Sequence, residues 1–127
     1  EVDGVAYNWT ESGGNFIQCQ PQGEGFWLRF GEAAGDAATH MDIDVCTNAG
    51  SGEYTPFDPY AGACNGATFD IWWHEGAAFW FNTLNGRCWL SMTVDGPNLA
   101  GTFACNPLTG DMGNLSVTAG SFGCVVE

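Results

Sequence analysis

Lysine is absent from this chain, and Arg29 and Arg87 are its only permanent cations against 15 acidic residues, giving a formal net charge of −13. A surface for nucleic acid needs several Lys or Arg to displace counterions from phosphates, so that partner is not expected, and anionic lipid headgroups repel the chain on the same ground. Two cations cannot hold a fold together by ion pairing. No run of about 20 apolar residues occurs, so no membrane span is expected. No apolar leader precedes Glu1, and the expectation is that a targeting segment has been removed from a secreted or surface-attached protein. Catalytic signatures are also missing. There is no GxSxG elbow, His40 and His74 are the only histidines, and the many acids single out no particular carboxylate pair. The chain is therefore read as a non-enzyme with no cofactor beyond a possible Ca²⁺ ion.

What is present is 45% hydrophobic and 14% aromatic residues in 127, enough for one core and one domain spanning 1–127. Nineteen glycines argue against helices, because glycine costs about 1 kcal/mol per helix-interior position. Six cysteines, Cys19, Cys46, Cys64, Cys88, Cys105 and Cys124, stand 27, 18, 24, 17 and 19 residues apart, with no CxxC pair of the kind metal and redox sites use. Three disulfides and an oxidising, extracellular location follow.

Turn chemistry organises the second half. Asp95-Gly96-Pro97-Asn98 interrupts an alternating pattern, and a hairpin centred on Gly96-Pro97 sets Val94 opposite Leu99, Leu90 opposite Phe103 and Cys88 opposite Cys105. Directly opposed Cβ atoms are close to disulfide range, which predicts Cys88–Cys105. Asn85-Gly86 is a strong type I′ signal. It predicts a second hairpin with Phe81 opposite Leu90 and Phe79 opposite Met92, so that 78–83, 88–94 and 99–105 form a meander with Phe79, Phe81, Leu90, Met92, Val94, Leu99 and Phe103 facing the core. Further strands are expected at 25–30, 40–46, 67–74 and near both ends. The Gly- and Pro-rich stretch 47–66 reads as a long loop fastened by Cys46 and Cys64. The other four cysteines allow three pairings, of which Cys46–Cys64 with Cys19–Cys124 is favoured. The predicted fold class is all-β: an antiparallel, jelly-roll-like β-sandwich.

Gly101-Thr102-Phe103-Ala104-Cys105 followed by Val117-Thr118-Ala119-Gly120-Ser121-Phe122 resembles small secreted β-sandwich domains of bacterial surface proteins and lipoproteins, in which a "GTF" strand precedes a final "VTxGxF" strand. The resemblance covers about the last 40 residues. It implies a secreted β-sandwich and carries over no functional residue.

Three candidate features remain. Alternation puts His40, Asp42 and Asp44 on one face of a strand, with Met41, Ile43 and Val45 on the other. That polar face is either the solvated side of the strand or a cation site, with loop acids such as Asp36, Asp58 or Asp70 supplying further oxygens to Ca²⁺. Trp80 and Trp89, with Trp72 or Trp73, are expected on the outer face. Such a cluster signifies a sugar-stacking platform, an interface, or cover by Tyr54, Phe57 and Tyr60 of the same chain. Asn8 and Asn114 begin N-glycosylation sequons. Without lysine to protect sheet edges, an N-terminal strand such as Val2–Thr10 is expected to add to the next subunit's sheet. The resulting expectation is a structural protein that self-associates into a homo-oligomer, polymer or extracellular fibre; the alternative is a monomeric carbohydrate-binding module.

Overall fold

Four two-residue hairpin loops, at 23–24, 76–77, 96–97 and 111–112, set the register of most of the molecule. Gly23, Gly76 and Gly96 sit in them at φ 58°, 57° and 57°, a left-handed conformation that only glycine adopts without steric cost. The computed structural model describes residues 1–9, 15–32, 39–57, 64–83 and 87–126. Those residues contain nine strands and no helix: β1 (Asn15–Gln22), β2 (Gly25–Glu32), β3 (Thr39–Val45), β4 (Gly52–Pro56), β5 (Thr68–Glu75), β6 (Ala78–Phe81), β7 (Arg87–Asp95), β8 (Asn98–Gly110) and β9 (Gly113–Val125).

β1, β2, β3 and β5 pair in that order, all antiparallel. The other edge of β5 is divided between two strands. β4 pairs with it in parallel at Thr68 and Phe69, and β6 pairs antiparallel at Trp72 to Glu75. β4 continues to β7, β7 to β8, and β8 reaches β6 through Thr109 and Gly110. Passing through β5, β4, β7, β8 and β6 thus returns to β5, a closed five-stranded ring. β9 extends from β8, and Cys19–Cys124 joins it to β1.

The expected all-β class and all three expected disulfides are present: Cys19–Cys124, Cys46–Cys64 and Cys88–Cys105. In place of two separate layers, the strands make one sheet that closes on itself. Closure comes from β4, which lies inside the stretch expected to be a loop. It is five residues long, and Tyr54 alone turns fully inward, so it carries almost no periodic signal. Tyr54 Oη donates to Gly50 O at 2.8 Å and accepts from Ala49 N at 3.0 Å, fixing the entry to the strand.

The Gly96-Pro97 hairpin has the predicted register, from Arg87 opposite Asn106 to Asp95 opposite Asn98. The Asn85-Gly86 hairpin does not form its predicted pairs, and residues 84–86 lie outside the described residues. β6 turns back onto β5 through Gly76-Ala77, placing Trp80 opposite Trp73. Trp73 is fully buried, so its partner Trp80 also points inward, and Phe79 and Phe81 go to the outer face. Leu90, Met92, Leu99 and Phe103 are core residues as expected, and Val94 packs at its margin. Full burial of Leu28, Ile43, Ile71, Leu90 and Leu108 contributes roughly 1.5–3 kcal/mol each.

Candidate functional site

Alternation along β2, β3, β5 and β6 carries a polar and aromatic set to the outer face in three cross-strand rows. The first is Gly31, His40, His74 and Phe79; the second is Arg29, Asp42, Trp72 and Phe81; the third is Trp27, Asp44 and Asp70. The sequence carries this arrangement as two mirrored patterns, His40-x-Asp42-x-Asp44 and Asp70-x-Trp72-x-His74. Neither pattern signals that their strands are neighbours, because β4 intervenes between them in the chain.

Asp42 is the centre. It is 8% exposed, and Arg29 grips it with Nε donating to Oδ1 at 2.8 Å and Nη2 donating to Oδ2 at 3.2 Å. Arg29 in turn lies over the Trp27 ring at 4.7 Å, a cation–π contact. His74 Nε2 and His40 Nε2 stand 3.4 Å and 3.7 Å from Asp42 Oδ2. The two imidazoles are stacked at 4.2 Å and 10°. Burial pushes the Asp42 carboxyl up, but hydrogen bonds from His74 and Arg29 and the Arg29 charge outweigh it and hold it below its ordinary value. Burial, then the neighbouring His74, holds the His40 imidazole below its ordinary range.

His40 and Asp42 are thus brought together as the sequence suggested, with His74 instead of Asp44 as the third member. Each offers a ligand atom within 4.8 Å of the others. Imidazole and carboxylate suit a transition metal. Arg29, however, already occupies both Asp42 oxygens and sets a positive charge beside the group. The cluster is built first as a charge-compensated polar network.

Asp44 pairs across the ladder with Asp70, which is 5% exposed. Burial, then the hydrogen bond and charge of Asp44, raises the Asp70 carboxyl to about 8, so this pair shares a proton at neutral pH. Burial also raises Asp44. Asp36 and Asp58 lie outside the described residues.

The four tryptophans of the expected outer cluster divide. Trp73 and Trp80 are interior, whereas Trp72 is half-buried on the outer face and Trp89 is 48% exposed on β7. Trp72, Phe79 and Phe81 form a triangle with ring centroids 5.2–6.4 Å apart. The expected Trp80–Trp89 pair is not formed, because β6 and β7 are not neighbours in the sheet. Tyr54 is buried in the core, and Tyr60 lies outside the described residues. Asn8 and Asn114 are both exposed; Thr10 of the first sequon lies outside the described residues.

The N-terminal segment docks on the free edge of β9. Glu1 N donates to Thr118 O at 2.7 Å, Thr118 N to Glu1 O at 2.9 Å, and Asp3 N to Ser116 O at 2.8 Å. Ser116 N donates to the Asp3 carboxylate at 2.7 Å. Asp3 and Gly4, at φ 47° and 80°, then turn the chain back. Tyr7 and Trp9 lie against the buried Trp73 at ring distances of 4.9 and 5.7 Å. A cavity of about 590 Å³ remains where this segment meets Ile17, Phe30, Phe103 and Phe122.

Among the described residues, no helix is long and apolar enough to cross a membrane. Comparison with protein-family models, curated proteins and solved structures gives no match for this chain.

Proposed function

We propose that the protein is an extracellular structural subunit that self-associates by exchanging residues 1–9 between copies. The observation that supports this reading is the docking of that segment on β9 through backbone hydrogen bonds and Val2 burial. Backbone bonding at a sheet edge is indifferent to which copy supplies the strand. Exchange preserves every contact, so the balance between closed and linked forms is set by tether length and protein concentration. The cavity beneath the segment leaves part of its inner surface without packing partners, which lowers the cost of opening. Because β9 accepts and the N-terminal segment donates, the contact is head-to-tail and propagates into an open chain or ring. Carboxylates left outside keep such an assembly soluble.

Electron microscopy and sedimentation of the concentrated protein test this. Concentration-dependent oligomers or filaments are expected. They should disappear when residues 1–9 are deleted, and a synthetic 1–9 peptide should bind the truncated protein. A species of 13.5 kDa at every concentration overturns it.

One observation favours a second reading, a carbohydrate-binding module. The rings of Trp72, Phe79 and Phe81 lie beside Asp42, His40 and His74, combining stacking surface with hydrogen-bonding groups, the combination that sugar recognition needs. Binding of a glycan library that is lost on Phe79→Ala and kept on Trp89→Ala supports it, and loss on neither removes it.

A further inference from the structure

Asp44 and Asp70 are direct cross-strand partners, so their two carboxyls repel when both are ionised and are held side by side at neutral pH by the proton they share. Asp70 is the drier of the two. It is 5% exposed, and its Oδ1 meets no hydrogen-bond donor among the described residues. A buried acceptor left without a partner forfeits its hydration with no hydrogen bond in return, so native structures fill such positions. Both residues line a hollow of about 620 Å³ beside the Cys46–Cys64 disulfide. Gln22, Glu24, Thr47 and Asn65 also line it, all bearing oxygen, and no imidazole or free thiol is among the lining residues.

We propose that Asp44 and Asp70 anchor a calcium site in this hollow, with the orphan Asp70 Oδ1 as a ligand. Calcium takes six to eight oxygens in flexible geometry, drawing on carboxylates, amide and main-chain carbonyls and water. Apart from the oxidised disulfide, the ligand atoms that the described lining side chains offer are oxygens, which disfavours zinc and copper with their preference for nitrogen and thiolate sulfur, and an open hollow lacks the tight octahedral cage that magnesium demands. The ion takes the place of the shared proton, so that both carboxyls ionise without repelling one another. It also ties the β3–β5 ladder to the segment closed by Cys46 and Cys64. The site therefore lies one ladder row away from the His40, Asp42 and His74 group, and is independent of the self-association reading.

Terbium is the probe, because it replaces calcium and emits when a nearby tryptophan is excited. Trp72 hydrogen-bonds the Asp70 carboxyl, and Trp27 is the cross-strand partner of Asp44. Full-length protein is stripped with chelator and titrated with terbium at physiological salt, then with calcium as competitor. The expected result is saturable emission with one ion per chain, displaced by calcium. Affinity should fall by about tenfold or more in Asp70→Asn and stay unchanged in Glu53→Gln, an exposed acid on β4. Asn reproduces the shape of a protonated Asp, and Asp44→Asn gives the same test at a half-buried position if the first variant does not fold. Non-saturating emission, or equal binding by the wild type and both site variants, shows only diffuse attraction to a surface of charge −13 and overturns the proposal.

Discussion

Phe103 lies across the β8–β9 ladder from Gly120, and its ring fills the space where a side chain at 120 would stand: a Cβ there would meet the ring at 2.4 Å. Two residues along, the relationship is reversed, with Gly101 facing Phe122, whose ring would meet a Cβ at 2.6 Å. The two glycine–aromatic pairs interlock, and Phe122 extends the stack to Phe30 at 5.5 Å. The Gly-Thr-Phe and Gly-Ser-Phe triplets are thus a packing device.

Gly120→Ala should destabilise the protein by roughly 1–3 kcal/mol through overpacking. Gly123→Ala, three residues further on β9 with nothing within 4 Å of a new Cβ, should stay within about 0.5 kcal/mol. Urea denaturation of both variants checks this, and equal losses would contradict the interlock.

Removing disulfides should give unequal losses. Cys19–Cys124 spans 105 residues and Cys46–Cys64 spans 18. In the chain-entropy model these correspond to roughly 5 and 3 kcal/mol of stabilisation. The first bridge also holds together β1 and β9, which share no backbone pairing. The paired Cys→Ala replacement of Cys19 and Cys124 is therefore expected to give the larger drop in thermal midpoint.

The parts of this fold legible in the sequence are those encoded locally. Asp95-Gly96-Pro97-Asn98 specifies both the turn and the register, so the β7–β8 hairpin and Cys88–Cys105 follow from one contiguous segment, 87–106. Ring closure depends on β4, whose single fully inward residue, Tyr54, gives no period to read. The inward turn of Trp80 was decided by competition between two plausible turns, Gly76-Ala77 and Asn85-Gly86, and a shift of one residue in parity exchanges every side chain between faces. His40 and Asp42 were visible as an alternating pair. Asp70 was read only as one of several loop acids and His74 not as a site residue, because their place beside the pair depends on β3 and β5 becoming neighbours across an intervening strand.

Arg29 is one of two arginines, and its loss should be far more costly than that of Arg87. Arg29 is the bidentate partner of a carboxylate that is 8% exposed, whereas Arg87 lies exposed on β7. Removing one member of a buried pair costs about 3–5 kcal/mol, and the partial exposure of Arg29 reduces this to roughly 1–3 kcal/mol. Arg29→Gln should lie in that range and Arg87→Gln near zero. Adding Asp42→Asn to Arg29→Gln should recover part of the loss, since the uncompensated charge is then gone; strictly additive losses in the double-mutant cycle would contradict the pairing.

Opposite pH dependences are expected from two carboxylates in adjacent outer-face rows. Asp70, raised to about 8 in the folded protein chiefly by burial, keeps a proton that the unfolded chain releases near pH 4. Between those values the folded state binds more protons, so this contribution is complete below about pH 4, declines as pH rises and is gone above about 8, at no more than about 1.4 kcal/mol per pH unit for one proton. Asp42 has the reverse sign. Its folded value lies below the ordinary one, so its contribution is present above about pH 4 and is lost as pH falls through the lower folded value. Chemical denaturation from acid to mildly alkaline pH in the presence of chelator separates the two. Asp70→Asn should flatten the decline through the neutral range and leave the acid limb, whereas Asp42→Asn should weaken the acid limb alone. A wild-type curve that runs parallel to that of Asp70→Asn through neutrality would mean that the Asp44–Asp70 pair holds no shared proton.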